Sequence, residues 1–201
     1  MRPLLLEFQD DPAAHGVDSE YLLGEWLLVA PVLTDRDHRT IYLPRGQWMD
    51  YWTHTVYDGP QYLQYHAPLD TLPIFVRAGA IIPLGPEVRY VGEKPFDPVT
   101  LLLFPGQESS FVFQDDQEIV AMSCKTVRGQ LVLEVGRSSK AYYVQIVGIS
   151  RPVRVETEAG EIPQVERLDG VVSGWTWESE TGVRIKCPAA PFKSVVQMAG
   201  S

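Results

Sequence analysis

Gln130-Leu131-Val132-Leu133-Glu134-Val135 is the stretch on which the fold turns. Leu131, Leu133 and Val135 alternate with Gln130, Val132 and Glu134, and a period of two puts the first set on one face of a half-buried strand. Tyr142 to Ile146 repeats the pattern. Around these lie further β-prone runs: Val99 to Phe104, Ser110 to Phe113, Glu118 to Val127, Val153 to Glu158, Gly174 to Glu178, Val183 to Lys186 and Ser194 to Met198. Upstream, Leu27 to Leu33, Thr40 to Leu43, Gln47 to Tyr51, Gln61 to Ala67 and Ile74 to Ile82 are punctuated by Pro44, Gly46, Gly59, Pro60, Pro68 and Pro73. Short strands with frequent turn residues read as sandwiches or barrels. The strip Leu84 to Pro98, rich in Gly, Pro and charge, is the expected boundary between two such domains.

The first 27 residues break the pattern. Pro3 to Phe8 is expected to be an apolar strand, and Asp18 the N-cap of a helix reaching Trp26, with Tyr21, Leu22 and Trp26 on one face. A strand, a loop and a helix make half of a βαβ unit, and half a unit has nothing to pair with. The expectation is that this part belongs with structure upstream. Without it, Leu4, Leu5, Leu6, Leu22 and Trp26 would lack packing surface, and residues 1–27 would yield to proteases before residues 28–201.

With 201 residues, 45% of them hydrophobic, the chain can bury a substantial core. A formal charge of −9, with no basic run, argues against a nucleic-acid partner. No apolar stretch approaches the roughly 20 residues that span a bilayer, so no membrane partner is expected. Leu4 to Leu6 is too short for the core of a signal peptide. Cys124 and Cys187 form no CxxC pair and read as free thiols in preference to a disulfide, which favours a cytoplasmic location.

The chain offers little that resembles a catalytic centre. Asp10-Asp11, Asp35-x-Asp37 and Asp115-Asp116 are close in sequence, but neighbouring residues on a strand point to opposite faces, and in turns such residues cap backbone N–H groups. His15, His38, His54 and His66 are scattered, without HExxH spacing, and read as loop or surface residues, so no metal is expected. Neither GxSxG, GxGxxG nor a P-loop is present, and no cofactor is expected. The aromatics carry more interest. Trp48, Tyr51, Trp52 and Tyr57 cluster and suit a sandwich core. Trp175 and Trp177, two apart on a strand, share a face; they either fill the core or form a platform on which a sugar could stack.

The order of motifs carries a resemblance. Met1-Arg-Pro-Leu-Leu-Leu-Glu-Phe8, Asp10-Asp-Pro12, Tyr21-Leu-Leu-Gly24 and Leu27-Leu-Val-Ala-Pro-Val32 resemble, in this order, the end of the catalytic barrel in glycoside hydrolase family 31. Ile41-Tyr-Leu-Pro44, Gly46-Gln-Trp48, Asp50-Tyr-Trp52, Ala67-Pro-Leu-Asp70 and Leu72 to Leu84 continue it. Val99 to Phe104 and Phe111-Val-Phe-Gln-Asp-Asp116 resemble the family's distal β domain, except that Gln117 stands where a Gly follows the two aspartates, which implies a reshaped turn.

The resemblance implies a mainly β fold: two consecutive β-sandwich domains, 28–87 and 88–201, preceded in residues 1–27 by the remnant last strand and helix of a (β/α)8 barrel. It implies a parent that is a retaining α-glycosidase, of α-glucosidase or α-xylosidase type, hydrolysing O-glycosidic bonds in carbohydrate metabolism. The family's two catalytic aspartates lie on earlier barrel strands, in segments this sequence does not contain. No catalytic residue is therefore assigned, and only Glu7 to Asp11 stand where they could line the mouth of the substrate pocket. The implied partners are the missing barrel, as a covalent or split-gene neighbour, and the α-linked oligosaccharide that the parent cleaves. Met1, internal in the family, suggests a fragment or split gene. The alternative is a free-standing carbohydrate-binding β-sandwich module.

Overall fold

The computed structural model describes residues 1–106, 108–115, 117–187 and 191–198. The chain divides into two compact units, Met1–Ala78 and Gly79–Ser201. The expected boundary after residue 87 moves upstream because the strand at Ala80–Leu84 pairs with Val99–Phe104 in the second unit.

The first unit is built on one six-stranded sheet. Its elements are β1 (Arg2–Pro3), α1 (Leu4–Glu7), α2 (Pro12–His15), β2 (Tyr21–Leu23), β3 (Leu27–Val29), β4 (His38–Asp50), β5 (Val56–His66) and β6 (Ile74–Arg77), and the strands run in the order β1-β2-β3-β6-β4-β5. Two expectations for residues 1–27 are corrected. Only Arg2 and Pro3 are extended; Leu4 to Glu7 form a single helical turn, closed by Phe8 N–H donating to the Leu4 carbonyl at 2.9 Å. The helix expected over Asp18–Trp26 is instead a hairpin, with Tyr21 opposite Val29, Leu22 opposite Leu28 and Leu23 opposite Leu27. Gly24 turns the chain at φ 66°, a left-handed conformation that glycine adopts without a Cβ penalty. An isolated nine-residue helix is marginal and an internal Gly costs it about 1 kcal/mol, whereas β3 gains a complete partner in β6. The segment expected to be a barrel remnant instead adds strands to the edge of the sheet. Leu4 and Leu22, expected to lack partners, are fully buried beside Leu28, Ile41, Leu43, Trp48 and Phe75, while Leu5, Leu6 and Leu23 remain exposed.

The long β4–β5 hairpin sets the shape of this unit. Leu43 pairs with Gln61, but the next pair is Gly46 with Gly59, so Pro44 and Arg45 form a bulge. Proline donates no ladder hydrogen bond and is tolerated there. Its free carbonyl accepts the Trp48 indole N–H at 2.8 Å, which anchors the largest side chain of the core.

The second unit is a sandwich. One sheet joins β9 (Glu108–Gln114), β10 (Ile119–Val127), β11 (Gln130–Val135), β13 (Pro152–Thr157), β14 (Gly160–Glu161) and β17 (Phe192–Met198). The other joins β7 (Ala80–Leu84), β8 (Val99–Phe104), β12 (Tyr142–Ile146), β15 (Gly174–Glu178) and β16 (Gly182–Lys186). Leu131, Leu133 and Val135 face inward as the alternation requires, meeting Leu101, Leu103, Val144 and Ile146 from the opposite sheet. Pairing is antiparallel throughout the two sheets except between β8 and β12, which run parallel, with Tyr142 opposite Val99.

The bulge leaves no room for a side chain at Gly59. A Cβ there would lie 2.0 Å from the Pro44 carbonyl oxygen and 2.8 Å from that of Leu43, and both obstacles are backbone. Gly59→Ala is expected to cost about 2–4 kcal/mol in denaturant unfolding. A loss below 0.5 kcal/mol would show that the bulge relaxes freely.

Candidate functional site

Glu7 to Asp11, the residues that could face a substrate pocket, line an open groove of about 550 Å³ with Pro12, Arg45 and Pro60. The carboxylates of Glu7 and Asp11 are engaged in structural contacts. Glu7 bridges Arg2 at 3.1 Å and Arg77 at 2.9 Å, and the Arg77 guanidinium sits 5.3 Å from the centre of the Phe8 ring. Asp11 is the N-cap of α2, accepting from Ala13 N–H at 3.1 Å, and its other oxygen accepts the Tyr42 hydroxyl at 2.5 Å. The pair Asp10-Asp11 is thus a turn-and-cap device, as the sequence suggested.

Glu20 has the perturbed ionisation that would attract a catalytic assignment. Burial pushes its carboxyl up to about 7, against the opposing pull of Tyr42 N–H and of the Arg39 charge. One oxygen accepts from Tyr42 N–H at 2.9 Å and Arg39 Nη2 at 3.2 Å; the other finds no partner among the described residues. Only 5% of the residue is exposed, so a sugar in solvent cannot reach it. It holds the N-terminal arm against β4.

The aromatic sets separate. Trp175 is 4% exposed and donates its indole N–H to the Ile162 carbonyl at 3.2 Å, and Trp177 packs against the same core. Trp175 and Trp177, the pair spaced for sugar stacking, share the face of β15 that looks into the sandwich, where Trp175 is buried and Trp177 partly so. In the first set Trp48 is fully buried, but Trp52 is 51% exposed, edge-on to Tyr51 with ring centres 5.0 Å apart. Its indole N–H donates to the Leu72 carbonyl at 2.7 Å, which fixes the ring against the 67–72 loop.

The turn at Gln117 closes without glycine. Asp115 Oδ1 accepts both Gln117 N–H at 2.8 Å and Glu118 N–H at 2.9 Å, and Lys140 pairs with the other oxygen at 2.7 Å. The Lys140 contact first, then the two N–H groups, hold the Asp115 carboxyl at about 2. An Asx turn of this kind supplies the reversal that a positive φ would otherwise provide. Asp116 lies outside the described residues. Cys124 and Cys187 are free and buried, and burial pushes both thiols up, so neither is poised for nucleophilic chemistry.

One constellation escaped the reading of the histidines as scattered. Asp37, His38 and His66 converge, with Asp37 Oδ1 2.5 Å from His38 Nδ1 and Oδ2 3.2 Å from His66 Nε2. The two histidines are register partners across β4 and β5. The signal was available only to a reading that first paired the two strands, because His66 is 29 residues from Asp37 in sequence.

Residues 1–82 match the profile described as the glycosyl hydrolase family 31 C-terminal domain. An α-glucosidase 2 of Bacillus thermoamyloliquefaciens is 39% identical over 119 residues, covering 58% of this chain and 15% of the relative. An α-xylosidase of Saccharolobus solfataricus is 35% identical over 121 residues, covering 59% of this chain and 17% of its own length. Among solved structures, a GH31 dextranase of Flavobacterium johnsoniae complexed with glucose superposes with a TM-score of 0.89 at 27% identity, over 98% of this chain and 29% of that one. The chain therefore spans less than a third of the length of each of these relatives.

Glu20 generates a test of its own. Its proton is held more tightly in the fold, at about 7, than at the ordinary 4.5. The stability this confers is full below about pH 4.5 and is lost as pH rises through about 7, a change on the order of 3 kcal/mol. Glu20→Gln keeps a neutral acceptor for Tyr42 N–H and is expected to flatten Tm against pH across that window. An unchanged slope would place the titrating group elsewhere.

Proposed function

Because residues 1–82 carry the C-terminal domain of glycosyl hydrolase family 31, we propose that this chain supplies the C-terminal accessory β domains of a retaining α-glycosidase of α-glucosidase or α-xylosidase type. The family match over residues 1–82 is the observation that carries this reading, and the relatives it resembles are several times longer. In it the catalytic carboxylates come from a (β/α)8 barrel, and this chain buttresses that barrel and shapes the rim of its cleft.

The chemistry of the first unit supports the division of labour. Glu7 and Asp11 are fixed by two arginines, a cap and a tyrosine hydroxyl, so they suit a rigid rim better than proton transfer. The exposed leucines Leu5, Leu6 and Leu23, on the segment next to that rim, suit burial against a barrel. A free-standing sugar-binding module has less to recommend it, since the ring pair best spaced for stacking faces the core. The role in carbohydrate metabolism follows from the parent activity, with an α-linked oligosaccharide as its substrate and no cofactor required.

The purified chain, assayed on p-nitrophenyl α-glucoside and α-xyloside beside a full-length relative, is expected to give no turnover. Hydrolysis that co-elutes with the monomer, and is lost on substitution of a carboxylate in this chain, would overturn the proposal. Absence of turnover combined with saturable binding of maltotriose would transfer the argument to the binding module.

A further inference from the structure

Asp37, His38 and His66 have a geometry that an ordinary surface ion pair does not require. His38 opens β4 and His66 closes β5, directly opposite each other in the antiparallel register, so both side chains leave the same face of the hairpin. Their ring centres are 4.7 Å apart, tilted by 47°. Asp37 precedes β4, and its carbonyl accepts Ala67 N–H at 2.7 Å, which ties the entry of one strand to the exit of the other. The three donors therefore stand on backbone held by a sheet ladder and not on loose loops. One nitrogen from each histidine and one carboxylate oxygen lie within 4.8 Å of one another. A tetrahedral ion bound at about 2.0–2.1 Å sets its donors roughly 3.3 Å apart, so small rotations about the side-chain bonds bring all three into place. Each side chain is well exposed and has room to make them.

We propose that Asp37, His38 and His66 form a binding site for one zinc-class transition-metal ion, with two imidazole nitrogens, one carboxylate oxygen and a fourth position left to water. The donor set selects the metal. Two imidazoles suit zinc, nickel or copper, whereas calcium and magnesium require oxygen donors almost throughout. Asp37 also lines a groove of about 400 Å³ with Asp35, Asp70 and Leu72, which leaves space for the water or a small anion at the open position. Bound there, the ion clips the start of β4 to the end of β5 at the open end of the longest hairpin. The competing account is that Asp37 merely bridges the two imidazoles as an ordinary exposed ion pair does, an arrangement indifferent to metals.

The two accounts separate in a titration of the full chain, stripped with chelator, against zinc chloride by calorimetry and against cobalt(II) by visible absorption. The site predicts one ion per chain, the d–d bands of a four-coordinate cobalt centre, and no competition from excess calcium. His38→Asn and His66→Asn are each expected to weaken zinc binding at least about tenfold. His15→Asn and His54→Asn should leave it unchanged. All four changes lie at the surface or in loops, and circular dichroism of the metal-free variants checks that they fold. Absence of zinc binding up to millimolar concentrations, or binding that survives loss of both His38 and His66, would overturn the proposal.

Discussion

The pairing of β4 with β5 is the constraint on which the first unit depends. A side-chain period of two means that register decides which face each residue takes, and a slip by one residue would move Ile41 and Leu43 to the face that Tyr42 now occupies. The bulge at Pro44 and Arg45 changes the register partway along. It lets Ile41 and Leu43 on one side of the break, and Trp48 on the other, meet in a single core. Tyr42, pointing away from Ile41 and Leu43, is buried as well, because residues 1–20 cover that face: its N–H reaches Glu20 and its hydroxyl reaches Asp11. The N-terminal arm is keyed to the hairpin, and the hairpin is incomplete without the arm.

That arrangement ties several carboxylates of this unit into structural contacts. A glycosidase pair must face an open space across which a sugar can lie. Here Glu7, Asp11 and Glu20 each join separate pieces of chain. Asp50 is engaged locally, closing the hairpin end by accepting Trp52 N–H at 2.7 Å and Thr53 N–H at 3.1 Å. In a parent enzyme such fixed charges would give the barrel a stiff boundary, which is what a cleft wall requires.

Legibility from sequence differed between the two units for a physical reason. Two strands of the sandwich are half-buried and alternate, so Leu131 to Val135 and Tyr142 to Ile146 announced themselves, whereas Val99 to Phe104, buried along almost its whole length, was legible as a continuous apolar run. Tyr21, Leu22 and Trp26 fit helical and extended spacing alike, and only the partner strand β6, some fifty residues away, decides for the extended form. The two-residue strand β14 is too short to carry a period, and was not expected at all. For the sites, Asp11 and Asp115 were readable as turn and cap residues because their partners are local in sequence. Trp175 was ambiguous, since an alternating strand shows which residues share a face but not which side the second sheet will cover. Asp37, His38 and His66 were invisible for the opposite reason: their proximity exists only once the register does.

Pro60 and the bare Gly59 beside it end the account where the hairpin meets solvent. β5 is the outermost strand of its sheet, with a row of backbone groups that another chain could use as a template. Pro60 interrupts that row in mid-strand by removing one donor, and the bulge opposite twists the strand away from planarity. The charged Asp58 and the exposed His66 flank the break. The feature that lets Trp48 be buried therefore also breaks the edge along which a second molecule would have to add a strand.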